Sequence, residues 1–165
     1  MNQAQYRQAG FTLIELIIVI IILGILAATA IPRFAQMQSE ARISKLNALR
    51  GTVQTAAGLV NGLSLAKHLD ASAQTVSVQG QNVTIIDNYP TADRAGIMSA
   101  IGNYGTLANQ QADGIEDQAD GGGAAGDTLT IRVTGGPDAA TCFFTYTSPA
   151  AGSAAAVSLA TTGGC

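Results

Sequence analysis

The chain reads as an α+β protein, one long N-terminal helix followed by an antiparallel β-sheet. Three observations predict this. Residues 11–31 form an unbroken apolar run, FTLIELIIVIIILGILAATAI; beyond Pro32 apolar residues recur three and four apart; and beyond Asp70 the pattern changes to short alternating runs punctuated by Gly, Asn and Pro. A helix followed by strands must bury its apolar stripe on the sheet they form.

As a helix the apolar run is roughly 31 Å long, enough to cross the hydrocarbon core of a bilayer. The preceding MNQAQYRQAG is short and polar with Arg7 as its only charge, which leaves the start of the chain in the cytoplasm and the remainder outside. A secretory signal peptide cut after Ala28-Thr29-Ala30 is the plain alternative. The run is too long for that, Pro32 lies just beyond the supposed cut, and Glu15 inside the run costs about 2–3 kcal/mol of insertion free energy that a disposable signal has no reason to carry.

The helical pattern continues past Pro32 with Leu46, Leu49, Val53, Ala56, Val60 and Leu63 on one stripe, expected to pack on the sheet. A second stripe of small residues, Ala41, Ala48, Gly51, Thr55, Gly58 and Gly62, admits close approach of another backbone. A helix from Phe11 to near Leu65 is roughly 80 Å long, far more than a small domain needs, so its apolar half is expected to protrude. Strands are expected at Thr75–Val78, Val83–Ile86, Thr128–Thr134, Phe143–Thr147 and Ala156–Ala160, a helical turn within Asp93–Ile101, and a loop over Gly102–Gly126.

At 165 residues the chain supports one domain. A net charge of −3 and only 12% charged residues give no footprint for holding a polyanion, so nucleic acid is not an expected partner. Cys142 and Cys165 are the only cysteines, and such a pair in an exported chain reads as one disulfide. His68 is the only histidine, and no nucleophile elbow, zinc motif or phosphate-binding glycine loop is present, so no enzyme is expected. The acidic run Asp113, Glu116, Asp117 and Asp120 gathers oxygen ligands that suit Ca²⁺, but it lacks EF-hand spacing, and a solvated acidic loop without a cofactor is the favoured reading.

Gly10-Phe11-Thr12-Leu13-Ile14-Glu15, with the polar leader before it and Gly24 and Pro32 after it, resembles the processing site of type IV prepilins and type II secretion pseudopilins. The resemblance covers about the first 50 residues well. It implies a pilin-like fold, with cleavage after Gly10 by a membrane prepilin peptidase, methylation of the new Phe11 amine, an inner-membrane precursor, and polymerisation by assembly machinery into an extracellular fibre. The expected parts are then a leader over 1–10, a membrane and filament-core helix over 11–32, and a head over 33–165. No cation on the same helix reaches Glu15 except the amine created at Phe11, four residues earlier on the same face. The resemblance favours the amine of a neighbouring subunit as its partner. Gly24 and Pro32 weaken a helix, and related pilins can lose helicity here on assembly. Asp87-Asn88-Tyr89-Pro90-Thr91-Ala92 and Cys165 resemble pilins of the mannose-sensitive haemagglutinin group. The alternative is a pseudopilin of a periplasmic export fibre, which the acidic run favours and the cysteine pair disfavours.

Overall fold

The computed structural model describes residues 10–69, 74–102, 104–118 and 121–165. Helix α1 spans Leu13–Ala66 and continues without a break through Gly24 and Pro32. The chain divides within α1 into two units, Met1–Gln38 and Ser39–Cys165. In the first unit nearly every described residue is exposed, and an 18-residue window of the helix has a mean hydropathy of 2.9 with none of it buried. That is the surface of a segment solvated by lipid or by other chains, not by water.

The second unit is built on the rest of α1. Leu46, Leu49, Val53, Ala56, Ala57, Val60 and Ser64 are buried, so the stripe at helical spacing faces inward as expected. Strands β1 (Thr75–Val78), β2 (Gln81–Ile86) and β3 (Tyr89–Pro90) form one antiparallel sheet. Strands β4 (Ile115–Asp117), β5 (Thr128–Val133), β6 (Phe143–Thr147) and β7 (Ala156–Val157) form a second. The single sheet expected from sequence is therefore two, and α1 serves both. Leu46, Leu49, Val53 and Ala57 share a core with Leu129, Ile131, Val133, Phe144 and Tyr146 of the larger sheet. Val60 shares a second core with Val76, Val78, Val83 and Ile85 of the smaller one.

Turn chemistry fixes the register of the smaller sheet. Val78 pairs with Gln81 across Gln79-Gly80, and Ile86 pairs with Tyr89 across Asp87-Asn88. Positive φ at all four turn residues is what a two-residue type I′ hairpin requires. The Asp87–Ala92 motif is thus a structural joint. The Asn88 side chain accepts from the Ser64 hydroxyl of α1 at 2.7 Å, and the Pro90 carbonyl accepts from the Tyr146 hydroxyl at 2.8 Å.

A π-helical turn at Arg94–Met98 is capped by Asp93, whose carboxylate accepts from the Gly96 amide at 2.7 Å. The expected loop over Gly102–Gly126 instead contains helix α2 (Leu107–Ala112) and strand β4. Gln110 is fully buried there; its amide donates to the Tyr104 carbonyl at 2.7 Å, and its oxygen accepts from the Asp117 amide.

Burial raises the Tyr146 hydroxyl pKa well above the ordinary tyrosine value, with the charge of Tyr89 adding to the effect. Because the folded value lies above the unfolded one of about 10, stability is intact below pH ~10 and falls as pH rises beyond it. Denaturant midpoints of the full-length chain in detergent are therefore expected to be flat up to that pH and then to drop. Tyr146→Phe is expected to lessen the drop, and an unchanged alkaline slope in that variant would assign the loss elsewhere.

Candidate functional site

Gly10, Phe11 and Thr12 are non-helical and exposed, so the Gly10-Phe11 bond lies in open backbone just ahead of α1. The Phe11 side chain is 93% exposed. No described atom lies within 4 Å of a Cβ placed on Gly10, so its missing side chain answers no need of the described chain itself.

The helix then starts at a definite place. The Thr12 hydroxyl accepts from the Glu15 amide at 3.3 Å, and one Glu15 carboxylate oxygen accepts from the Thr12 amide at 2.9 Å and from its hydroxyl at 2.7 Å. This reciprocal arrangement is a capping box, satisfying two backbone donors that a helix end otherwise leaves open. Thr12 is thus a neutral partner of Glu15, one that a search for a cation on the same helix does not consider. The Thr-x-x-Glu spacing was the available signal. No charged partner of Glu15 is present among the described residues.

Cys142 and Cys165 are joined, with their Cα atoms 4.9 Å apart and both residues buried. Cys165 is held further by Arg42 of α1, whose Nη1 donates to its main-chain oxygen at 2.8 Å. Two more cations on α1 act alike: Lys45 donates to the Asp113 carbonyl, and Arg50 Nε donates to the Ser158 carbonyl at 2.5 Å.

The acidic run does not form the expected solvated loop. Asp117 is buried on the inner side of β4 and receives Arg94 through two bonds, Nε to Oδ2 at 2.6 Å and Nη2 to Oδ1 at 2.8 Å. Glu116 is exposed on the opposite side of the strand. Asp113 accepts from the Tyr104 hydroxyl at 2.7 Å, and that bond raises the Tyr104 pKa. Asp120 lies outside the described residues. Among the described residues no group of three or more His, Cys, Asp or Glu side chains converges.

An apolar helix that begins at a capped, accessible Gly-Phe junction and runs on into a disulfide-closed α+β head defines a membrane-inserted subunit of the N-terminally processed class. Residues 5–31 match the family model of the prokaryotic N-terminal methylation motif. The chain is 36% identical to the type IV narrow pilus major component PilA5 of Thermus thermophilus over 52% of its own length and 77% of the relative's. It is 37% identical to a fimbrial protein of Moraxella nonliquefaciens over 52% of its length and 60% of the relative's. With the type IV major pilin PilA of Myxococcus xanthus it shares 56% identity over 24% of its length and 18% of the relative's. No solved structure matches.

The chain belongs to the type IV pilin family. It is a structural, non-enzymatic protein: a precursor in the inner membrane, processed by prepilin peptidase and assembled into extracellular fimbriae.

Proposed function

We propose that this chain is cut between Gly10 and Phe11, methylated at the new amine, and polymerised through its N-terminal helix into a fibre of many copies for adhesion, motility or uptake. The observation that carries this reading is the accessible, non-helical Gly10-Phe11 junction placed directly before the Thr12–Glu15 cap. After the cut, the Phe11 amine and Glu15 are the only opposite charges at this end of the apolar segment, and pairing between neighbouring copies satisfies both in a dry filament core. Gly24 and Pro32 supply the compliance for the helix to adjust on leaving lipid.

The kinship with the mannose-sensitive haemagglutinin group rests on the Asp87–Ala92 motif and Cys165. The pseudopilin alternative loses support, because Asp117, one of the four carboxylates considered for calcium, is engaged by Arg94. Mass spectrometry of sheared fibres is expected to find a chain beginning at methylated Phe11. Fibres built from a chain beginning at Met1 or Ile31 would refute the reading.

A further inference from the structure

We propose that the two edges of the larger sheet meet between copies of this chain: Leu159, on the edge beyond β7, enters the cavity between α2 and β4 of a second copy. The proposal rests on the polymerisation reading above and adds a contact between heads, made by residues outside the apolar half of α1.

The edge that carries Leu159 is neutral. No charged side chain occurs from Ala139 to Cys165. Leu159 lies between β7 and the bridge that Thr161 makes with Phe143, and it is 79% exposed, the most of any large apolar side chain described in the second unit. A lone exposed leucine is ordinary, but a sheet edge meant for water carries charges, lysine above all. Ala156, Thr161 and Gly163, which flank it in sequence, are exposed as well and carry none.

The opposite edge has the complementary form. A cavity of about 810 Å³ lies between α2 and β4, lined by Leu107 and Gln111 on the helix, by Ile115 and Gln118 on or beside the strand, and by Thr134. Cavities of about 300–1,000 Å³ hold guests of small-molecule size, so there is room for a leucine and its neighbours. Leu107 is 47% exposed and supplies an apolar wall. Of the charged residues that line the cavity, Arg94 and Asp117 neutralise each other and Glu116 is exposed, so a neutral guest strands no charge.

The main chain of β4 also has groups to offer. The Thr134 amide donates to the Gly114 carbonyl and the Gln118 amide to the Thr130 carbonyl, each at 2.9 Å, so Glu116 between them turns its main chain to β5. Ile115 and Asp117 turn theirs away, to the side of α2, where the Asp117 amide meets Gln110 Oε1 at 3.4 Å. The Ile115 N–H and C=O have no hydrogen-bond partner among the described residues, and Ile115 is 2% exposed. Buried main-chain groups without a partner are rare and call for one. The Leu159 N–H, likewise without a partner among the described residues, supplies a donor for that carbonyl.

The two edges cannot meet within one head. In the strand order β4-β5-β6-β7 they lie three strand spacings apart, roughly 14 Å, at opposite ends of the sheet. Only a second copy brings them together, and each joined pair leaves one free edge of each kind. Such a head-to-tail contact passes from copy to copy, as a fibre requires.

A photo-activated benzophenone amino acid placed at Leu159 of the full-length chain, in cells assembling fibres from mixed nitrogen-14 and nitrogen-15 copies, tests this. Peptide mapping of sheared fibres is expected to join residue 159 of one copy to a site within residues 107–118 of another. Cross-links that go only to the same copy, to other parts of a second copy or to a different protein would overturn the contact while leaving polymerisation standing. If the unsubstituted chain makes no fibres of itself, the polymerisation reading falls and the contact with it.

A second arm exchanges charge. Leu159→Asp and Leu107→Lys both alter exposed side chains, so each is expected to leave the thermal midpoint of the detergent-extracted subunit unchanged. Each alone is expected to lower fibre yield about tenfold, because it brings an unpaired charge to the contact. The two together are expected to restore most of the yield, since an aspartate of one copy then meets a lysine of the next. Normal yield from either single variant, or a double variant no better than the worse single one, would overturn the proposal.

Discussion

Glu15→Ala is expected to leave membrane insertion intact or improved, and to cut fibre yield sharply when every subunit carries it. Removing one member of a water-excluded charge pair strands the other at about 3–5 kcal/mol, which lowers subunit association by two or more powers of ten. The same change also removes the capping partner of Thr12, so alanine alone confounds two effects. Glu15→Gln separates them, since glutamine still completes a capping box but carries no charge. Both variants are expected to be cleaved after Gly10, to accumulate in the membrane and to make few fibres. Recovery of fibres by Glu15→Gln would make Glu15 a helix cap in this protein; normal fibre number from both would make it a protonated passenger.

Cys165→Ser is expected to destabilise the head by about 3 kcal/mol, because it reopens a loop closed over a sequence separation of 23 residues. For a chain of this size that corresponds to a fall of roughly 10 °C in Tm. The segment it releases is tightly fitted: a Cβ on Gly164 would lie 1.9 Å from the Asp138 carbonyl, and Cys165 also takes the Arg42 bond. Non-reducing peptide maps of fibres are expected to contain the Cys142–Cys165 pair. Undiminished stability of the serine variant would remove the proposed role.

The long helix and the five expected strands were legible because each expresses a single periodicity. Leu46, Leu49, Val53 and Val60 repeat at helical spacing, and Val76/Val78 and Phe144/Tyr146 alternate. What was not legible lies where polar residues face inward. In β4 the alternating position that should be apolar is Asp117, acceptable only because Arg94, distant in sequence, comes to it. In α2 the one buried residue is Gln110, whose hydrogen bonds replace apolar packing. A composition rule sees only Gly, Asn, Asp and Gln in this stretch and reads loop. The division into two sheets was hidden for another reason, since strand pairing between distant segments leaves no trace in local pattern. At the candidate site, Gly10, Phe11 and Glu15 were visible from order and chemistry, whereas the part played by Thr12 needed the helix start to be placed.

Lys45 and Arg50, two of the cations that fasten α1 to the head, grip neutral backbone carbonyls and not carboxylates. A carbonyl has no proton to gain as a medium turns acidic. The contacts are also far shorter than the ~8 Å over which physiological salt damps charge interactions. Outside a cell, where neither acidity nor ionic strength is regulated, a head clasped to its helix in this manner keeps its grip from fresh water to brine.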